Sequence, residues 1–203
     1  MLVPRVADLL RIEPRPIRLI LKPTKACLAF TRQAWAPDVP TIFVDPDCAD
    51  DVVLAHEIAH CLVPSDWLFA AEGVAIWVSC RIGRGTAHLL FPEPTADAIV
   101  RKYWSRSASP ETLADERVGD AGLLHSATFH RFEGRLAHAV AASFLGMMLE
   151  TIPGLPAILS DPGTRERPLK VTLAEAAGMT FQVLQSRWRE KMTGRDEPGP
   201  ALS

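Results

Sequence analysis

Residues 51–62 read Asp-Val-Val-Leu-Ala-His-Glu-Ile-Ala-His-Cys-Leu, and this stretch sets a physical problem that any fold of the chain must solve. Val53, Leu54, Ile58 and Leu62 recur at helical spacing, and Asp50 or Asp51 can cap the first turn, so a helix is predicted. Leu54, Ala55, Ile58, Ala59, Cys61 and Leu62 make that helix apolar nearly all round. His56 and Glu57 are therefore carried inward, where an unpartnered carboxylate is costly. A cation beside them resolves the conflict, which a solvated face with two incidental histidines does not. Imidazoles four residues apart lie about 40° apart around a helix axis, so His56 and His60 project from one face and can grip one ion. Neutral imidazole suits zinc. Glu57 lies off that line, does not chelate, and can reach a water at an open metal position.

A site of this kind needs a third protein ligand. Glu72 is the first candidate, a lone carboxylate within Ala70-Ala71-Glu72-Gly73-Val74-Ala75-Ile76-Trp77, on a second helix predicted from about residue 67 to 80. Gly73 is expected to let this helix approach the first closely. Asp66 competes, six residues after His60, a spacing that resembles metzincin-type sites, although those have a turn-forming glycine where this chain has Val63 followed by Pro64, and Asp66 also fits a helix N-cap.

The rest of the chain frames these helices. Residues 16–22 and 40–44 are short, proline-bounded and rich in branched side chains, as strands are. Residues 26–35 are ambiguous. Further helices are predicted over 96–104, 132–150, 156–159, 173–177 and 181–192, with 81–94, 105–120 and 160–168 as connections and a disordered Gly/Pro-rich tail over 194–203. Strands first and helices after imply an α+β domain over 1–193, with the sheet and metal-site helices in about 1–80 and a helical lobe in about 81–193. Its 203 residues carry 22 basic and 24 acidic side chains in no long run, so no footprint for nucleic acid or an anionic membrane is present. Cys27, Cys48, Cys61 and Cys80 form no Cys-x-x-Cys pair and read as free, mostly buried thiols. The N-terminus has no signal-peptide pattern, and residues 136–149 are too short to span a bilayer, so a cytoplasmic protein is expected, with export open if a leader has been trimmed. Trp35, Trp67, Trp77, Trp104 and Trp188 read as core, and His88, His125 and His130 as surface or cleft-lining residues.

His56-Glu57-Ile58-Ala59-His60, then Trp67-Leu68 and Glu72-Gly73-Val74-Ala75-Ile76-Trp77, resembles the gluzincin peptidases, in particular the bacterial peptidase-MA-like domains with a Trp-Leu-x-Glu-Gly-x-Ala-x-Tyr second helix. Two extra residues precede Glu72 here, and Trp77 stands in place of the tyrosine. Residues 137–145 look like the family's Tyr-x-x-Gly-x-x-Phe helix, and 178–189 like its terminal Gly-x-Ser/Thr-x-x-x-Leu-x-x-x-Trp segment. The resemblance implies a zincin-like fold, a small twisted sheet over an active-site helix with a helical C-terminal lobe. It implies Zn2+ on His56, His60 and Glu72, with Glu57 as general base for peptide hydrolysis on a peptide or protein substrate. His138 stands where the family has an oxyanion-stabilising tyrosine, a role for which Tyr103, the chain's one tyrosine, competes. Residues 40–44 or the segment before them are expected to align an extended peptide. The rival expectations are a zinc-bearing binding or regulatory domain without turnover, and a metal-dependent hydrolase of a non-peptide substrate.

Overall fold

The computed structural model describes residues 2–23, 29–32, 38–83, 91–104 and 109–194. The architecture is α+β. Three short strands, β1 (Arg18–Leu21), β2 (Ala29–Arg32) and β3 (Thr41–Val44), form one sheet in the order β1-β3-β2, with β3 parallel to β1 and antiparallel to β2. The strands expected over 16–22 and 40–44 are β1 and β3; β2 occupies part of the stretch whose sequence was ambiguous. Register pairs Thr31 with Ile42 and Phe30 with Phe43, so alternation sends Thr31 and the buried Ile42 to one face, and Phe30 and Phe43, stacked 4.9 Å apart, to the other.

The inner face of the sheet lies on α2 (Asp51–Leu62), whose first turn is closed by the Asp50 carboxylate accepting from the Val52 and Val53 amides. α3 (Leu68–Ile82) folds back against α2 and also packs on α6 (Phe132–Thr151), the long central helix. Gly73 determines how close that second contact is: a Cβ there would lie 2.8 Å from the Ala141 carbonyl oxygen. The expected close approach is therefore made toward α6 rather than toward the histidine-bearing helix. Gly146 on α6 repeats the device, since a Cβ would meet the Trp77 ring at 2.5 Å.

Around this centre stand α1 (Leu2–Leu10), α4 (Ala96–Tyr103), α5 (Pro110–Leu113), α7 (Leu155–Leu159), α8 (Leu169–Ala177) and α9 (Phe181–Thr193). α1 was not anticipated; it buries Val6, Ala7 and Leu10 on one stripe. α8 begins four residues before the predicted 173 and ends on Gly178 at φ 64°. α9 is anchored by Trp188, fully buried and donating its indole N–H to Ser143 Oγ at 2.9 Å. Trp67, Trp77 and Trp104 are half-buried against the core rather than within it, and Trp35 lies outside the described residues.

The cysteine reading is corrected. Cys48 is disulfide-bonded, whereas Cys61 and Cys80 are free. Cys27, His88 and the tail over 195–203 also lie outside the described residues. Among the described residues no helix is long and apolar enough to cross a membrane.

Candidate metal centre

α2 and α3 place three donor groups on a common point. His56 Nε2 and His60 Nε2 are 3.1 Å apart, His56 Nε2 lies 3.5 Å from Glu72 Oε2, and His60 Nε2 lies 3.6 Å from Glu72 Oε1. Tetrahedral bonds of about 2.0–2.1 Å require ligand edges of roughly 3.3 Å, and each imidazole nitrogen lies near that distance from the other and from one Glu72 oxygen, His56 from Oε2 and His60 from Oε1. Among the described residues this is the one cluster of three metal-binding side chains with donor atoms within 4.8 Å of one another.

The electrostatics agree with the donor chemistry. Burial would lower His56, but its hydrogen bond and charge contact with Glu72, together with the Glu57 charge, outweigh that and raise it. His60 is lowered, first by burial and then by His56, against the pull of Glu72. Burial acts to raise Glu72, yet His60, His56 and His138 hold it well below the usual carboxylate range. A carboxylate held in its ionised form at neutral pH and facing imidazole nitrogens could hold a cation.

His138, on α6, is 2% exposed and approaches the cluster from the other side, its Nε2 lying 3.8 Å from Glu72 Oε2. Its Nδ1 lies 2.8 Å from the Gly134 carbonyl oxygen. A carbonyl only accepts, so Nδ1 carries the proton, and the neutral ring turns a lone pair rather than an N–H toward Glu72. Burial lowers its pKa and favours that neutral form, against the Glu72 charge.

Glu57 is 6% exposed on α2, one residue beyond His56, and its carboxylate is held by Thr31 of β2, whose hydroxyl lies 2.6 Å from Glu57 Oε2. Thr31 was missed because the sequence around it settles neither strand nor helix. Its pairing with Ile42 across β3 is what points it at α2. Burial pushes the free Cys61 thiol up to about 12, so it stays protonated beside Thr31.

His56, Glu57, His60, Glu72, His138 and Thr31 all open into a cleft of about 840 Å³. One wall is β2, through Ala29, Phe30 and Thr31; the other is the segment 118–130, through Val118, Leu124 and Phe129. That second wall is fixed to the α2–α3 turn: Leu68 donates to the Glu116 carbonyl and Val118 to the Asp66 carbonyl, both at 2.9 Å, and the Arg117 guanidinium lies 4.1 Å over the Trp67 ring. β3 does not line the cleft, so of the two segments expected to align a peptide only the earlier one borders it. Every histidine among the described residues lines this cleft, His125 and His130 included.

No family model, curated protein or solved structure matches this chain. Two competing sequence candidates lie outside the cluster. Asp66 lines the cleft but binds Arg165 Nε through Oδ2 at 2.8 Å and is outside the cluster. Tyr103 donates to Glu93 Oε1 at 3.0 Å, stacks among Phe91 and Phe132, and does not line the cleft.

Proposed function

We propose that this chain is a zinc-dependent peptidase of the gluzincin type, a zincin-like domain in which His56, His60 and Glu72 hold the metal and Glu57 is the general base. The reading is carried by one observation: two histidines of α2 and a carboxylate of α3 converge at 3.1–3.6 Å, with a second, separately anchored carboxylate beside them. Three protein ligands would leave a fourth position for water, and a non-ligand carboxylate beside it can serve as base, which a closed structural site does not need.

When bound, zinc supplies Lewis acidity toward the scissile carbonyl and the water that attacks it. Glu57 takes one proton from that water as its oxygen bonds to the carbonyl carbon, and returns the proton to the amine nitrogen as the C–N bond breaks. β2, an edge strand bordering the cleft, offers main-chain groups along which an extended peptide can lie. Phe30, Val118, Leu124 and Phe129 favour apolar side chains on that peptide. The disulfide at Cys48 supports an oxidising compartment over a cytoplasmic one.

One observation favours the alternative, a zinc-bearing domain without turnover. No tyrosine lines the cleft, and His138 donates to an oxyanion only when doubly protonated. The variant Glu57→Gln separates the two. Retained zinc with loss of a peptidase activity present in the parent supports the enzyme; an inert, zinc-loaded parent supports the binding domain, and turnover of a non-peptide ester or amide alone would move the substrate class.

A further inference from the structure

A base is effective only if its carboxylate holds one orientation, and nothing on α2 itself fixes that of Glu57. The fixing group arrives from the sheet. Thr31 Oγ1 lies 2.6 Å from Glu57 Oε2 and 3.1 Å from the Glu57 main-chain oxygen. The hydroxyl has one proton for these two oxygens; the Cys61 thiol, hydrogen-bonded to the same hydroxyl, stays protonated and does not compete for it. The main-chain oxygen already has its helical partner four residues on, while the shorter contact has the length of a charge-assisted O–H···O⁻ bond. The proton therefore goes to Oε2.

We propose that Thr31 is the positioning residue of this site: by binding Oε2 it pins the Glu57 carboxylate and leaves Oε1 as the oxygen that receives the proton of the attacking water. The proposal rests on Glu57 being the base. It assigns a function to a side chain that does not touch the metal ligands and that sits, half-buried, in the cleft wall. Valine keeps the β-branch that a strand favours but removes the donor, whereas serine keeps the donor and removes the branch. A packing role and a positioning role therefore predict opposite rankings for the two variants.

The test uses the zinc-loaded full chain and its Thr31→Val and Thr31→Ser variants. Zinc stoichiometry, steady-state kinetics on a quenched fluorescent peptide, and crystal structures are compared. Thr31→Val is expected to bind zinc like the parent and keep KM within about twofold, with kcat falling on the order of 10- to 100-fold, as for lost supporting hydrogen bonds at metal sites. Thr31→Ser recovers most of that loss. In crystals the Glu57 carboxylate leaves its parent orientation in Thr31→Val and keeps it in Thr31→Ser. Parental kcat in Thr31→Val, a change confined to KM, or an unmoved Glu57 overturns the proposal. If the parent cleaves no peptide, the peptidase reading fails by itself, and the carboxylate orientation alone then decides the role of Thr31. Thr31→Ala replaces the valine variant, with the same expectations, should valine prevent folding.

Discussion

Substituting Gly73 by alanine sets two familiar effects against each other, and the structure decides the sign. In an exposed helix the change would stabilise by about 1 kcal/mol through helix propensity. Here the added Cβ would stand 2.8 Å from the Ala141 oxygen and 3.0 Å from its carbon, short of the 3.4 Å at which ordinary contact begins, and 3.2 Å from Leu145 Cγ. The obstructing atoms are backbone in the middle of α6, so no side-chain rotation relieves the overlap, and α3 and α6 must separate. Overpacking of this kind costs about 1–3 kcal/mol, and rigid backbone puts it at the upper end. The net expectation is destabilisation by about 2 kcal/mol once the propensity gain is subtracted. Because Glu72 precedes Gly73 on α3, the same movement should weaken zinc binding. Urea unfolding of the metal-free protein measures the first effect, with Gly154→Ala as control, since a Cβ there meets nothing within 4 Å. A Gly73→Ala protein as stable as the parent or more so would refute the packing argument.

Glu72 and His56 make the metal-free protein pH-sensitive in a definite window. The lowered Glu72 contributes stability above its unfolded value of 4.5 that is lost as pH falls toward its folded value. The raised His56 contributes below its unfolded value of 6.5 and loses that contribution as pH rises through its folded value. The stability difference between parent and Glu72→Gln, followed by urea unfolding with chelator present, is therefore expected to be greatest between pH 4.5 and 6.5 and to shrink on either side; a pH-independent difference contradicts the pairing. Asp66→Asn is expected to leave zinc stoichiometry unchanged and stability close to that of the parent, because its bond to Arg165 is solvent-exposed and screened; loss of zinc on metal analysis would reinstate Asp66 as a ligand.

That His56, His60 and Glu72 come together was legible because the signal is local. A four-residue histidine spacing, an adjacent acid and a lone carboxylate in an apolar helix are each visible without tertiary information. What the sequence hid depends on pairing across the chain. Thr31 is informative only once β2 lies against β3 in a register that turns it toward α2, and its own residues settle neither strand nor helix. The direction Gly73 faces is likewise a property of which helix packs where, and the Ala141 it meets on α6 lies 68 residues further along the chain. The Cys48 disulfide was missed for a related reason: widely spaced cysteines carry no local pairing signal. Tyr103 was considered by elimination, being the one tyrosine, and elimination says nothing of the acidic partner, Glu93, that claims its hydroxyl.

Anomalous X-ray scattering at the zinc edge, on crystals of the zinc-loaded chain, tests the central claim most directly. The account predicts one peak per chain about 2.0–2.2 Å from His56 Nε2, His60 Nε2 and a Glu72 carboxylate oxygen, with Glu57 outside bonding distance. A peak elsewhere, no peak, or a Glu72 carboxylate turned away from the two imidazoles would contradict it.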